Sequence, residues 1–217
     1  VNAPFNTLIR PICEHMASTY RIAGGAPVEA MIVAIGLQES RFTARDQLEV
    51  IDGALVPGAV GPATGFWQFE RGGGVRGVMR HASSRAIAQE MAQQAGVGWD
   101  ETTIWTVFTR PEGDELACAF ARLLLLTDPQ PLPAALDQSE ETAWQYYLRN
   151  WRPGKPHRGT WGAFWRYGVS LTAGEATSSP VPAPARPAVP VGLPAAALEA
   201  RVVALEATIA AMRRALG

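Results

Sequence analysis

Glu39 is the carboxylate whose setting best suits chemistry. It closes the run Met31-Ile32-Val33-Ala34-Ile35-Gly36-Leu37-Gln38-Glu39-Ser40-Arg41-Phe42, whose apolar content predicts a largely buried helix. At such a helix end, the negative pole of the dipole and partial loss of water both raise a carboxyl pKa. A raised pKa is what a general acid working near neutral pH requires. The plainer readings are a solvated glutamate, or an ion pair with Arg41 or Arg45. Downstream, Gly61-Pro62-Ala63-Thr64-Gly65-Phe66-Trp67-Gln68-Phe69-Glu70 puts Gln68 among aromatic residues just after a glycine turn. Glycine lets backbone approach a ligand closely, and flat aromatic surfaces suit sugar rings. Gln68 offers both donor and acceptor, fitting a hydroxyl or an N-acetyl group. The alternative is a core-packed aromatic turn with Gln68 satisfied by backbone.

Other chemistries find little support. Gly72-Gly73-Gly74 has no preceding strand and no Lys-Ser/Thr after it, so it does not read as a phosphate loop. His15, His81 and His157 are scattered, without zinc-ligand spacing. No Gly-x-Ser-x-Gly nucleophile elbow occurs. No metal or organic cofactor is expected. A glycosidase with two carboxylates would need a partner for Glu39, and Asp46, Asp52 and Glu70 are the candidates. Asp46, seven residues after Glu39, is favoured because it can reach a cleft from the loop. Each of the three also reads as a loop solvator or an arginine partner.

These motifs resemble the goose-type lysozyme and soluble lytic transglycosylase superfamily. Its catalytic Glu-Ser pair, with Phe two residues further on, is matched by Glu39, Ser40 and Phe42. Its Gly-Leu-Met-Gln motif resembles Gly65-Phe66-Trp67-Gln68, and its tyrosine-bearing helix resembles Trp144 to Trp151, with Tyr146 and Tyr147. The likeness spans about residues 25–155 and rests on short motifs. The usual Tyr-Asn-Ala-Gly motif is absent, and Phe66-Trp67 in place of Leu-Met suggests a divergent branch, of the kind found among bacteriophage lysis and virion proteins. The resemblance implies one acid/base glutamate, Glu39, oriented by Ser40 and Gln68. Phe66, Trp67, Tyr146 and Tyr147 would contact sugar. It implies cleavage of peptidoglycan between N-acetylmuramic acid and N-acetylglucosamine, by attack of the sugar's own 6-hydroxyl and without catalytic water. A hydrolytic muramidase (endolysin) on the same fold is one alternative. A glycan-binding virion or adaptor protein without activity is another.

The elements that must position these residues are almost wholly helical. Helices are expected at about 4–22, 27–41, 74–81, 83–95, 100–108, 112–127, 137–150 and 158–170. Pro27 suits a first turn, and Asp137 can cap the helix carrying Glu140 and Glu141. Residues 42–73, rich in Gly and Pro, read as a long loop, with a small hairpin across Asp52-Gly53. The stripe Trp144, Tyr147, Leu148, Trp151 puts Tyr147 toward a core and leaves Tyr146 as the freer hydroxyl, without deciding which faces substrate. The expected fold is all-α, with α+β as the limit. It is a lysozyme-like helical domain over 1–173 with a small loop or β lobe. A Pro/Ala-rich linker over 174–194 holds six prolines, and a heptad-patterned helix follows over 195–217. Leu198, Val202, Leu205, Ile209, Met212 and Leu216 form its seam, expected to self-associate weakly or to dock on a partner helix.

Composition sets outer limits. Apolar residues make up 47% of 217, which excludes wholesale disorder. A net charge of −1 gives no global pull toward nucleic acid. Lys155 is the only lysine among the 19 basic residues. The first residues lack the pattern of a signal peptide, and Leu116–Leu126, interrupted by Arg122, is too short to span a bilayer. The expectation is therefore a product made in the cytoplasm and acting on the cell wall, from a virion or after membrane permeabilisation. Cys13 and Cys118 are too few for a disulfide framework and read as buried free thiols.

Overall fold

The computed structural model describes residues 3–51, 54–133 and 139–173. Asp52, Gly53, Asp137, the proline-rich spacer and the heptad segment lie outside the described residues. Helices dominate, and each of the eight expected helical stretches is occupied by one. They are α1 (Arg10–Tyr20), α2 (Ala26–Glu39), α3 (Arg76–Arg80), α4 (Arg85–Gln94), α5 (Glu101–Val107), α6 (Asp114–Thr127), α7 (Glu140–Trp151) and α8 (Arg158–Thr172). Wide turns at Phe5–Ile9 and Arg71–Val75 run directly into α1 and α3.

The core is built around α2, which is apolar on every side. Every residue from Val28 to Leu37 is buried, as expected of a helix surrounded by other elements. Pro27 lies in its first turn, where the missing N–H costs nothing. Along one side runs α8, and the absence of a side chain at Gly168 permits close approach. A Cβ there would stand 2.7 Å from the Ala30 carbonyl oxygen. Below lies α6, buried from Leu116 to Leu125. Its Arg122 is taken inside too, with the guanidinium donating to the Ala23 carbonyl. Cys13 and Cys118 are both free and buried, and burial pushes the Cys13 thiol up to about 12.

The stretch read as a loop is largely a sheet. Strands β1 (Asp46–Ile51), β2 (Ala54–Thr64) and β3 (Phe69–Glu70) pair antiparallel in that order. The expected hairpin is present, with Val50 opposite Leu55, but pairing continues down to Asp46 opposite Thr64. Gly and Pro within β2 hide it from a propensity reading, because tertiary anchors set the strand. Thr64 Oγ1 donates to the Trp105 carbonyl at 3.0 Å, and Trp105 Nε1 to the Pro62 carbonyl at 3.1 Å. Arg45, at the foot of β1, grips Asp114 at the start of α6 with two bonds of 2.7 and 2.6 Å. Sheet and helices are thereby fastened on both sides of the sequence that follows Glu39.

Candidate active site

Glu39 is the last residue of α2, at the point where the buried helix meets a cleft of about 990 Å³. The chain leaves that helix under strain. Arg41 and Phe42 both take left-handed backbone, φ 56° and 54°, as does Gln68 at 48°. Left-handed non-glycine residues each cost free energy and persist only where their surroundings fix them. Ser40 supplies part of that fixing. Its hydroxyl donates to the Phe66 carbonyl at 2.7 Å and accepts from the Phe42 N–H at 3.1 Å. Phe42 then folds back over Gly36 and meets Phe66 and Trp67 edge-on, with ring centroids 5.5 and 5.8 Å away. Glycine at 36 is required by that close approach.

The electrostatics of Glu39 follow from these neighbours. Burial is the largest influence and raises its pKa, and the negative charge of Glu70 adds to the rise. Tyr147, donating to Oε1 at 2.6 Å, opposes them by favouring the charged form. The outcome is a carboxyl pushed up to about 7. The ion-pair reading fails on geometry: Arg41 lies over the Phe164 ring, 5.1 Å from its centroid, and Arg45 is committed to Asp114. Tyr147 is itself fixed, stacked on Trp161 with centroids 5.0 Å apart and flanked by Trp144. Its own pKa rises, through burial first and then the adjacent Glu39. A pinned phenol therefore holds one carboxyl oxygen of Glu39.

Three of the site residues singled out from sequence, Glu39, Gln68 and Glu70, line the cleft. Gln68 closes its own turn, Nε2 donating to the Gly65 carbonyl at 2.8 Å, which leaves Oε1 as the end available to a ligand. Gly65 takes φ 74°, a left-handed position that suits glycine. The other described site residues, Tyr147 among them, do not line the cleft. Trp67 is completely buried, its indole N–H donating to the Ile32 carbonyl at 2.9 Å, because the turn after Gly65 drives it inward. Phe66 is also buried and covered by the Arg45 guanidinium, 4.3 Å from its centroid. Tyr146 is not the freer hydroxyl: it is buried and donates to the Leu125 carbonyl at 2.8 Å. Ser40 acts on the turn and is absent from the cleft wall. Asp46 is exposed at the foot of β1 and does not line the cleft, whereas Glu70 does, because β3 turns Phe69 into the core and its neighbour outward.

Several wall residues escaped the sequence reading. Trp151 is half-buried, tied by its indole N–H to the Trp67 carbonyl at 2.8 Å, and presents its remaining surface to the cleft. Arg76, Arg80, Arg149, Arg152 and Lys155 also line it. The glycines 72–74, set aside above as a phosphate loop, form part of the wall. Gly74 leaves space for the Phe69 ring, which a Cβ would approach to 2.7 Å. Among the described residues no group of His, Cys, Asp and Glu is arranged to hold a metal ion. None of their helices is long and apolar enough to cross a membrane. No family model, curated protein or solved structure matches the chain.

Proposed function

We propose that this protein is a peptidoglycan lytic transglycosylase on a lysozyme-like fold, cleaving between N-acetylmuramic acid and N-acetylglucosamine. The observation that carries the reading is Glu39 itself: a carboxyl near pKa 7, pinned by Tyr147, at the edge of an open cleft. A group that is half protonated near neutrality can give one proton and then take another. Protonated Glu39 donates to the glycosidic oxygen as the bond from C1 breaks. The carboxylate so formed accepts the proton of the muramic acid 6-hydroxyl while that oxygen bonds to C1. Glu39 ends protonated, the leaving sugar carries the first proton, and the product is a 1,6-anhydro ring. In this reading Gln68 Oε1 accepts from an N-acetyl N–H, and Trp151, which lines the cleft, offers an aromatic surface for a sugar ring.

Glu70 supports a second reading. A carboxylate sharing the cleft with Glu39 is the arrangement a hydrolase uses to activate water or to form a covalent intermediate. Mass spectrometry of digested peptidoglycan separates the two. Anhydro ends, retained with Glu70→Gln, are expected. Ends heavier by one water, together with an inactive Glu70→Gln, would favour the muramidase.

The pH dependence of kcat/KM follows from the same groups. Donation needs protonated Glu39, so the rate is expected to fall as pH rises through about 7. Tyr147→Phe removes the bond that lowers the Glu39 pKa, and the alkaline limb should move to higher pH. Glu70→Gln removes a like charge, and the limb should move to lower pH. Limbs that stay in place in both variants would separate Glu39 from the rate-determining proton transfer.

A further inference from the structure

Charge is distributed unevenly around the cleft. In a chain of net charge −1, Arg76, Arg80, Arg149, Arg152 and Lys155 line one opening, against the carboxyls of Glu39 and Glu70. Three of these cations are already answered by carboxylates. Arg76 and Arg80 share Glu101 at 2.8 and 3.1 Å, and Arg149 bonds Asp128 at 3.2 Å. Arg152 and Lys155 have no acidic partner among the described residues; the Arg152 guanidinium reaches only the Arg149 carbonyl, at 3.2 Å. Both stand on the connection between α7 and α8, exposed at the cleft margin, with Arg152 fixed in left-handed backbone at φ 48°. The groups that move the Glu39 pKa are burial, Tyr147 and Glu70, not these cations. They therefore do not tune the acid, and they face the same space.

We infer that Arg152 and Lys155 form an anion-recognition margin that selects peptide-bearing glycan, by pairing with carboxylates of the stem peptide that hangs from muramic acid. This rests on the glycan-cleavage reading above and adds the substituent by which the strand is chosen. A strand stripped of its stems keeps one carboxylate per repeat, on the lactyl group next to the muramic acid ring, whereas a stem adds further carboxylates farther from the strand. A stem supplies carboxylates at a distance from the scissile bond, which matches cations that do not perturb Glu39. Exposed pairs are each worth little, so two of them support a preference of about three- to tenfold.

The test uses the full chain and two forms of purified peptidoglycan free of other wall polymers, one with stems and one stripped by an amidase. Binding of Glu39→Gln to each is measured by pelleting, and cleavage by the wild type from released fragments. Tighter binding and faster cleavage of the stem-bearing form, by about three- to tenfold at low salt, are expected. The preference should collapse in Arg152→Gln/Lys155→Gln. It should also shrink for the wild type in 0.5 M salt, where screening shortens to about 4 Å. The salt series needs no variant, so misfolding of the double variant would not spare the idea. Equal handling of the two forms by the wild type would overturn the selection margin and leave the cleavage reading standing. No cleavage of either form, with stem-dependent binding intact, would overturn the cleavage reading and retain the anion margin.

Discussion

Glu39→Gln is expected to lower turnover on peptidoglycan by at least two to four orders of magnitude, the usual worth of a general acid. On the proposed mechanism one group serves both proton transfers, so the loss should lie at the upper end. The same substitution should stabilise the fold. Below pH 4.5 the carboxyl is protonated in both the folded and the unfolded chain and contributes nothing to their difference. Between 4.5 and about 7 the folded state keeps a proton that the unfolded chain releases, so wild-type stability falls as pH rises. Above about 7 the penalty is complete. Glutamine never ionises, and its amide oxygen can still accept from Tyr147. Its advantage over wild type should therefore grow from near zero at pH 4.5 to about 1–3 kcal/mol at pH 8, with part of the full shift lost to solvent at the cleft. Thermal melts at pH 5 and pH 8 check this, and a stability difference unchanged between them would contradict the burial account of Glu39. Inactivity with unchanged stability would point instead to a role in binding.

The second large effect is expected at Gly36, which touches no substrate. An added Cβ there would overlap the Phe42 ring, so Gly36→Ala must displace a side chain held between Phe66 and Trp67. Overpacking of this kind costs about 1–3 kcal/mol. The displaced ring releases the strained Arg41-Phe42 turn, and with it the Ser40 clip that sets the exit from Glu39. Catalysis is sensitive to misplacement of about 1 Å, by up to about a hundredfold. A fall in kcat/KM of about ten- to a hundredfold is expected, alongside a lower melting temperature. Gly159→Ala, where an added Cβ meets nothing within 4 Å, is the matched control and should stay within about 0.5 kcal/mol of wild type. A folded Gly36→Ala protein with wild-type turnover would show that the turn does not position Glu39.

The helices were legible because each carries its own signal: Pro27 at a first turn, an unbroken apolar run in α2, acidic residues opening α7. The length of the sheet was not. β2 contains prolines and glycines, and its pairing is set by Trp105 and by the Arg45–Asp114 clasp, both distant in sequence. Glu39 could be found because a carboxylate ending an apolar run is unusual in itself. The choice between Tyr146 and Tyr147 stays open in the sequence, because an apolar stripe does not say what it packs against. The stripe does mark Tyr147 as core, and the catalytic candidate stands at the end of a helix buried on every side, so the core face of α7 is also the face toward Glu39. Glu70 was separated from Asp46 only by the two-residue strand β3, too short to read from alternation. Arg152 and Lys155 lie in a connection with no periodicity, and only tertiary folding brings them to the cleft.

One contact far from the cleft bears on how tolerant this protein is of change. The Ala30 carbonyl fits against α8 only because residue 168 has no side chain. The helix held there carries Trp161, the plate on which Tyr147 rests, and Tyr147 holds the carboxyl. Spacing between two helix axes thus bears on where the Glu39 carboxyl points. In a scan of every position, Gly168 would score as intolerant in the same columns as Tyr147 and Glu39. A map of lost activity would then trace a line through the interior of the protein, from the α2–α8 contact to the mouth of the cleft.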